Sequence, residues 1–102
     1  MVKHLVMWRL REDQRAAQIA TSMPLKAIID ALRTHVAGLH ELEIEVSRCG
    51  GDDAVHLVLY SVFDSWDALR DYEAHPLHDD LKDLIRPLRV ERRVADYEMP
   101  DR

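Results

Sequence analysis

A single cysteine, Cys49, excludes an intramolecular disulfide, and with it the small disulfide-stapled secreted scaffolds. Basic charge is also short: 14 Lys+Arg face 19 Asp+Glu, for a formal net charge of -5. With no basic run and no aromatic–basic interleaving, nucleic acid and anionic membrane surfaces are poor partners. No apolar run approaches the length needed to span a bilayer. Only three glycines occur, and none forms a phosphate-binding loop, a dinucleotide fingerprint or a nucleophile elbow. The opening Met1-Val2-Lys3-His4 runs directly into alternating residues without a signal-peptide pattern. The expectation is a cytoplasmic protein of one domain, residues 1–102, without repeat, linker or low-complexity segment. A chain of this length buries roughly two-thirds of its unfolded surface, enough for one modest core.

What is present is a clean order of periods. Val2 to Arg11 alternates as a strand, with Val2, His4, Val6, Trp8 and Leu10 on one face. Asp13 to Ala37 has helical spacing, interrupted by Pro24, so a kink or two shorter helices is expected there. Thr21 or Ser22 is positioned to cap the second piece, and Gly38 marks its end. Leu39 to Arg48 is a strand with Leu42, Ile44 and Val46 opposed to glutamates. Gly50 to Asp53 is a turn, and Ala54 to Phe63 is the most apolar strand. Asp64 or Ser65 caps a helix on which Trp66, Leu69 and Tyr72 share an inward stripe. A second short helix follows Pro76, and Arg89 to Met99 reads as a last strand before the tail of residues 100–102.

Strand, helix, strand, strand, helix, strand with short connections predicts a ferredoxin-like α+β fold with antiparallel sheet order 4-1-3-2. The first and third strands are then central, and helices cover one face. The other face needs a cover, most simply a second copy packed sheet against sheet, so a homodimer is expected.

The densest chemistry lies in Asp71-Tyr72-Glu73-Ala74-His75-Pro76-Leu77-His78-Asp79-Asp80. Pro76 cannot continue the preceding helix but can open the next one. Tyr72 is therefore expected on the last turn of one helix and His78 near the first turn of another, with Asp79 and Asp80 at a favourable dipole end. His4 and His56, on neighbouring central strands, are expected to share the helix-covered face with them. Trp8, Val58, Tyr60, Leu69, Leu81 and Ile85 are expected to line a mostly apolar pocket for a small apolar or carbonyl-bearing molecule. In that pocket His78 is the candidate base, Tyr72 the oxyanion donor, and His4 and His56 orient the substrate. Such a pair suffices in principle for enolisation or aldol-type ring closure without a cofactor. The plainer alternative is a polar helix corner and strand histidines that serve packing. A metal site using His75, His78, His4 and His56 is disfavoured, because Pro76 spoils one-face spacing and no zinc-hydrolase motif is present.

The opening Val2-Lys3-His4-Leu5-Val6, the corner Tyr72-x-x-His75-Pro76-x-His78 and the closing Val94-Ala95-Asp96-Tyr97 resemble the Dabb family, the stress-responsive A/B barrel domain proteins. The resemblance covers essentially the whole chain, and the corner is its most specific part. It implies a ferredoxin-like fold that dimerises through its sheets into a barrel. Many members of that family carry only a stress-response label. One plant branch, the olivetolic acid cyclases, closes linear polyketides by cofactor-free aldol condensation, and its acid/base pair matches Tyr72 and His78. Its two pocket histidines match His4 and His56. Two functions from different classes follow: a cyclase- or lyase-like enzyme, or a non-enzymatic stress-associated protein that binds a ligand or assembles. An oxygenase-like relative of the same barrel is a third.

Overall fold

The computed structural model describes residues 1–12 and 15–100. The chain runs β1 (Val2–Leu10), α1 (Arg15–Ala20), α2 (Met23–His35), β2 (Leu39–Val46), β3 (Leu57–Phe63), α3 (Trp66–Glu73), α4 (Pro76–Ile85) and β4 (Arg89–Glu98). The expected start of the first helix at Asp13, and the tail residues Asp101 and Arg102, lie outside the described residues.

The strands form one antiparallel sheet in the order β2-β3-β1-β4, which is the ferredoxin-like arrangement. Alternation in β1 translates directly into burial: Val2, His4, Val6, Trp8 and Leu10 are buried, and the residues between them are half-buried. Helices cover this face; α3 packs on β1 and β3, and α2 on β2 and α4. Leu25, Leu32, Leu57, Leu59, Phe63 and Leu81 join the β1 side chains in one core. The opposite face carries Leu5, Met7, Val58 and Tyr60, all half-buried in the single chain.

Local chemistry sets the element ends. Ser22, not Thr21, caps α2, its hydroxyl accepting from the Leu25 amide, while Pro24 occupies the first turn where no amide hydrogen is needed. Ser65 does the same for α3 through the Ala68 amide at 3.1 Å. Gly38 adopts φ +80°, and a Cβ there would lie 2.8 Å from the Ala68 Cβ. Glycine thus allows both the left-handed turn after α2 and the close approach of α3.

Two strands are shorter than their periodicity suggests. β2 stops at Val46 and β3 begins at Leu57 rather than Ala54. The intervening loop is pinned by Arg9, whose guanidinium donates to the carbonyls of Asp52 and Ala54. Among the described residues no helix is long and apolar enough to cross a membrane.

Candidate functional site

The site grows from the α3–α4 corner. His75 takes the N-cap of α4, its Nδ1 accepting from the Leu77 amide at 3.1 Å, and Pro76 supplies the first helical residue. His75 is therefore spent on the backbone. The short corner brings Tyr72, in the last turn of α3, edge-on to His78, in the first turns of α4. Their ring centroids are 4.7 Å apart at an interplanar angle of 65°. Tyr72 also touches Phe63 (5.1 Å) and His4 (6.0 Å), so four rings form one buried cluster beneath α3.

His78 is 8% exposed, and its Nδ1 is buried without a partner in hydrogen-bond geometry. Burial pushes the imidazole from its ordinary value of 6.5 down to about 4; Lys82 and His4 push the same way, and Asp79 and the Glu73 backbone oppose them. The ring is thus neutral at pH 7. Tyr72 is displaced in the complementary direction. Burial, aided by Glu73 and opposed by Arg92, holds its phenol well above the usual range. No side-chain hydrogen bond engages it among the described residues. A neutral imidazole and a firmly protonated phenol therefore stand side by side.

Both line a cavity of about 360 Å³ between the sheet and α4. Its apolar wall is Val6, Trp8, Leu59, Leu81 and Ile85, and its rim carries Glu73, Lys82, Arg86, Arg89 and Arg92. Trp8, Leu81 and Ile85 thus stand where the periodicity placed them. Leu69 is buried in the core but does not reach the cavity.

His4 is buried next to the cavity rather than in its wall. Its Nδ1 donates to Asp96 Oδ1 at 2.5 Å across β1 and β4, and its buried Nε2 has no partner. An ionised carboxylate only accepts, so Asp96 fixes which nitrogen carries hydrogen.

His56 and Tyr60 require correction. His56 does not share a face with His4: the residue opposite His4 is Ser61, whose hydroxyl donates to the His4 carbonyl at 3.0 Å. His56 lies just before β3, where its amide donates to Trp8 and its Nδ1 accepts from the Leu10 amide at 2.9 Å. It closes the end of β1. Tyr60 has the parity of Val58, on the face away from the helices, where Lys3 Nζ lies 5.6 Å from its ring centroid. Strand parity is the physical reason: Leu57, Leu59, Ser61 and Phe63 take the helix side, so their neighbours cannot.

The sequence reading missed Asp96, Ser61 and the cationic rim as site features. Asp96 and Ser61 emerge only from strand register. Among the described residues no group of three or more His, Cys, Asp or Glu gathers to hold a metal ion.

A family model described as Stress responsive A/B Barrel Domain matches residues 2–99. No curated protein matches the chain. Among solved structures, a dimeric protein of unknown function and ferredoxin-like fold from Bacteroides fragilis is 26% identical. It superposes with a TM-score of 0.79 over 96% of this chain and 95% of its own. A Dabb family protein with a ferredoxin-like fold from Mesorhizobium loti is 20% identical, with a TM-score of 0.66 over 98% and 97% of the two chains. A protein described as an antibiotic biosynthesis monooxygenase is 14% identical, with a TM-score of 0.75 over 99% and 100%. At 14–20% identity, the last two likenesses bear on fold alone.

Proposed function

The chain belongs to the stress-responsive A/B barrel domain family, and from that premise we propose that it works as a homodimer whose pocket performs cofactor-independent acid/base chemistry on a small carbonyl compound. The reaction is of the aldol cyclase or lyase type. The observation that carries this reading is the pair itself: His78 and Tyr72, both buried, stand edge-on to each other and line one cavity.

His78 Nε2, the nitrogen not sealed in the interior, removes a proton from carbon next to a carbonyl. The Tyr72 hydroxyl donates a hydrogen bond to the enolate oxygen that forms, and the enolate carbon then attacks a second carbonyl of the same molecule. The protonated His78 returns its proton to the new alkoxide. A base held near pKa 4 is weak. It therefore suits carbon already acidified by two flanking carbonyls, which favours a polyketide-like substrate. His4, fixed by Asp96, supports the Tyr72 ring from behind.

Dimerisation through face-to-face sheets is supported by the uncovered apolar face of β1 and β3 and by the dimeric state of the Bacteroides fragilis neighbour. Sedimentation that finds only monomer at micromolar concentration removes this part. A cytoplasmic setting accords with the exposed, unpaired Cys49.

The test of the chemistry is solvent-deuterium incorporation and ring closure in a panel of 3,5-dioxo acyl compounds. His78→Ala is expected to abolish both, and Tyr72→Phe to reduce them strongly. Full turnover in His78→Ala would remove the mechanism. A second reading, a ligand-binding or assembly protein without turnover, draws on Val90, Val94 and Tyr97, which are large, apolar and exposed on β4. Native mass spectrometry that finds a retained ligand or an assembly larger than two, with no exchange in the panel, selects it.

A further inference from the structure

The rim of the cavity is charged in a way the chain as a whole is not. The protein carries -5 overall, yet Lys82, Arg86, Arg89 and Arg92 meet at the cavity with Glu73 as the single carboxylate. Lys82 and Arg86 are one helical turn apart at the end of α4, where the helix dipole alone favours cations. That explanation does not extend to Arg89 and Arg92 on β4.

Those two reach one face through a backbone irregularity. Residues three apart in a regular strand point to opposite faces. Here Trp8 pairs with Arg92, Arg9 with Glu91, and Leu10 with Arg89, so the register shifts and Val90 is the extra residue. Trp8 and Leu10 both face the helices. Their partners Arg92 and Arg89 are thereby turned toward the same side, as a bulge re-aims a side chain. Both arginines are half-buried. Among the described residues, no carboxylate lies within ion-pair distance of Arg86, Arg89 or Arg92. Among the described residues Lys82 pairs with an exposed Asp79 at 3.6 Å. Half-buried guanidinium groups without anionic partners are costly to hold together unless something negative joins them. The same cavity is lined by His78, 8% exposed, and by the Tyr72 ring 4.7 Å from it.

We infer that the cavity takes an anionic substrate, a carbonyl compound ending in a carboxylate or phosphate. Its charged end is held at the Arg89–Arg92 rim, with Arg86 and Lys82 beside it, and its carbonyl end rests on Tyr72 and His78. This deepens, and rests on, the pocket chemistry proposed above. The guanidinium fork fits the oxygen geometry of either group. Charge at the mouth and apolar wall behind it orient an acyl chain in one direction only, with the reacting carbonyls inward.

Octanoate, octyl phosphate and octanamide separate the possibilities, because they share a chain and differ at the head. Binding is measured calorimetrically, with the His78 ring signals followed by NMR to report occupancy of the cavity. At least one anionic probe is expected to bind about tenfold or more tighter than octanamide. The tighter of the two identifies the head group. The preference is expected to shrink as salt is raised and to vanish in the Arg89→Gln, Arg92→Gln double variant. Octanamide binding as well as the anions, with His78 signals moving in all cases, overturns the inference and leaves the pocket intact. Persistence of the preference in the double variant overturns it too. If no probe moves His78, the inference falls together with the pocket reading.

Discussion

His78 makes the protein sensitive to acid in a window that can be worked out in advance. The ring is held at about 4 in the folded chain against 6.5 when free. Above pH 6.5 the imidazole is neutral in both states and contributes nothing to the pH dependence. As pH falls below 6.5 the unfolded chain takes up a proton that the folded chain refuses, so the unfolded state gains. The loss continues until the pH passes the folded value near 4, below which both states are protonated. Each tenfold difference in proton affinity is worth about 1.4 kcal/mol, so the full displacement corresponds to roughly 3 kcal/mol. At pH 5 about 2 kcal/mol of that has been lost. Because the ring borders an open cavity, the realised value should lie at about 1–2 kcal/mol. The assay is urea unfolding from pH 7.5 to 4.5 at fixed protein concentration, comparing the wild type with His78→Gln. Carboxylates titrate in both proteins, so their contribution cancels in the difference. The wild type should lose stability relative to the variant between pH 6.5 and 5. Parallel curves through that window would refute a buried neutral His78.

Three further perturbations follow from specific contacts. Gly38→Ala should cost about 2–3 kcal/mol, from the left-handed backbone and the contact with Ala68; adding Ala68→Gly should recover only the contact part, as read from urea midpoints. Tyr72→Phe removes a hydroxyl that no hydrogen bond engages among the described residues, so stability should change by less than about 1 kcal/mol while exchange activity drops; a large stability loss would mean the hydroxyl is structural. Asp96→Ala strands His4 with both ring nitrogens unpartnered and should cost about 1–3 kcal/mol, whereas Asp96→Asn, which still offers an acceptor, should retain most of the stability.

The parts of the molecule that local chemistry determines were legible in the chain. Five alternating positions, four of them apolar, placed β1 in the sheet; Pro24 marked a break in the first helical stretch and Pro76 the start of α4. The corner that brings Tyr72 to His78 is a short-range feature: one proline, one cap and two helical stripes determine it. What depends on register was harder to see. His56 shares the parity of Val58 and Tyr60, which opposes a place on the helix-covered face, and the pairing of His4 with Ser61 decides it. Asp96 meets His4 from 92 positions away, and nothing in its local pattern points there. The arginine rim needs the Val90 bulge, which breaks the alternation on which strand faces are inferred. Long-range pairing and a one-residue irregularity thus account for the difference.

The most direct test is an NMR pH titration of the six histidine rings in the intact protein, with Tyr72→Phe as the comparison. His78 should titrate near 4, apart from the exposed histidines, and its ring signals should shift when the tyrosine hydroxyl is removed. If His78 instead titrates at about 6.5 with signals indifferent to Tyr72→Phe, the two rings do not share a dry site and the proposed chemistry is contradicted.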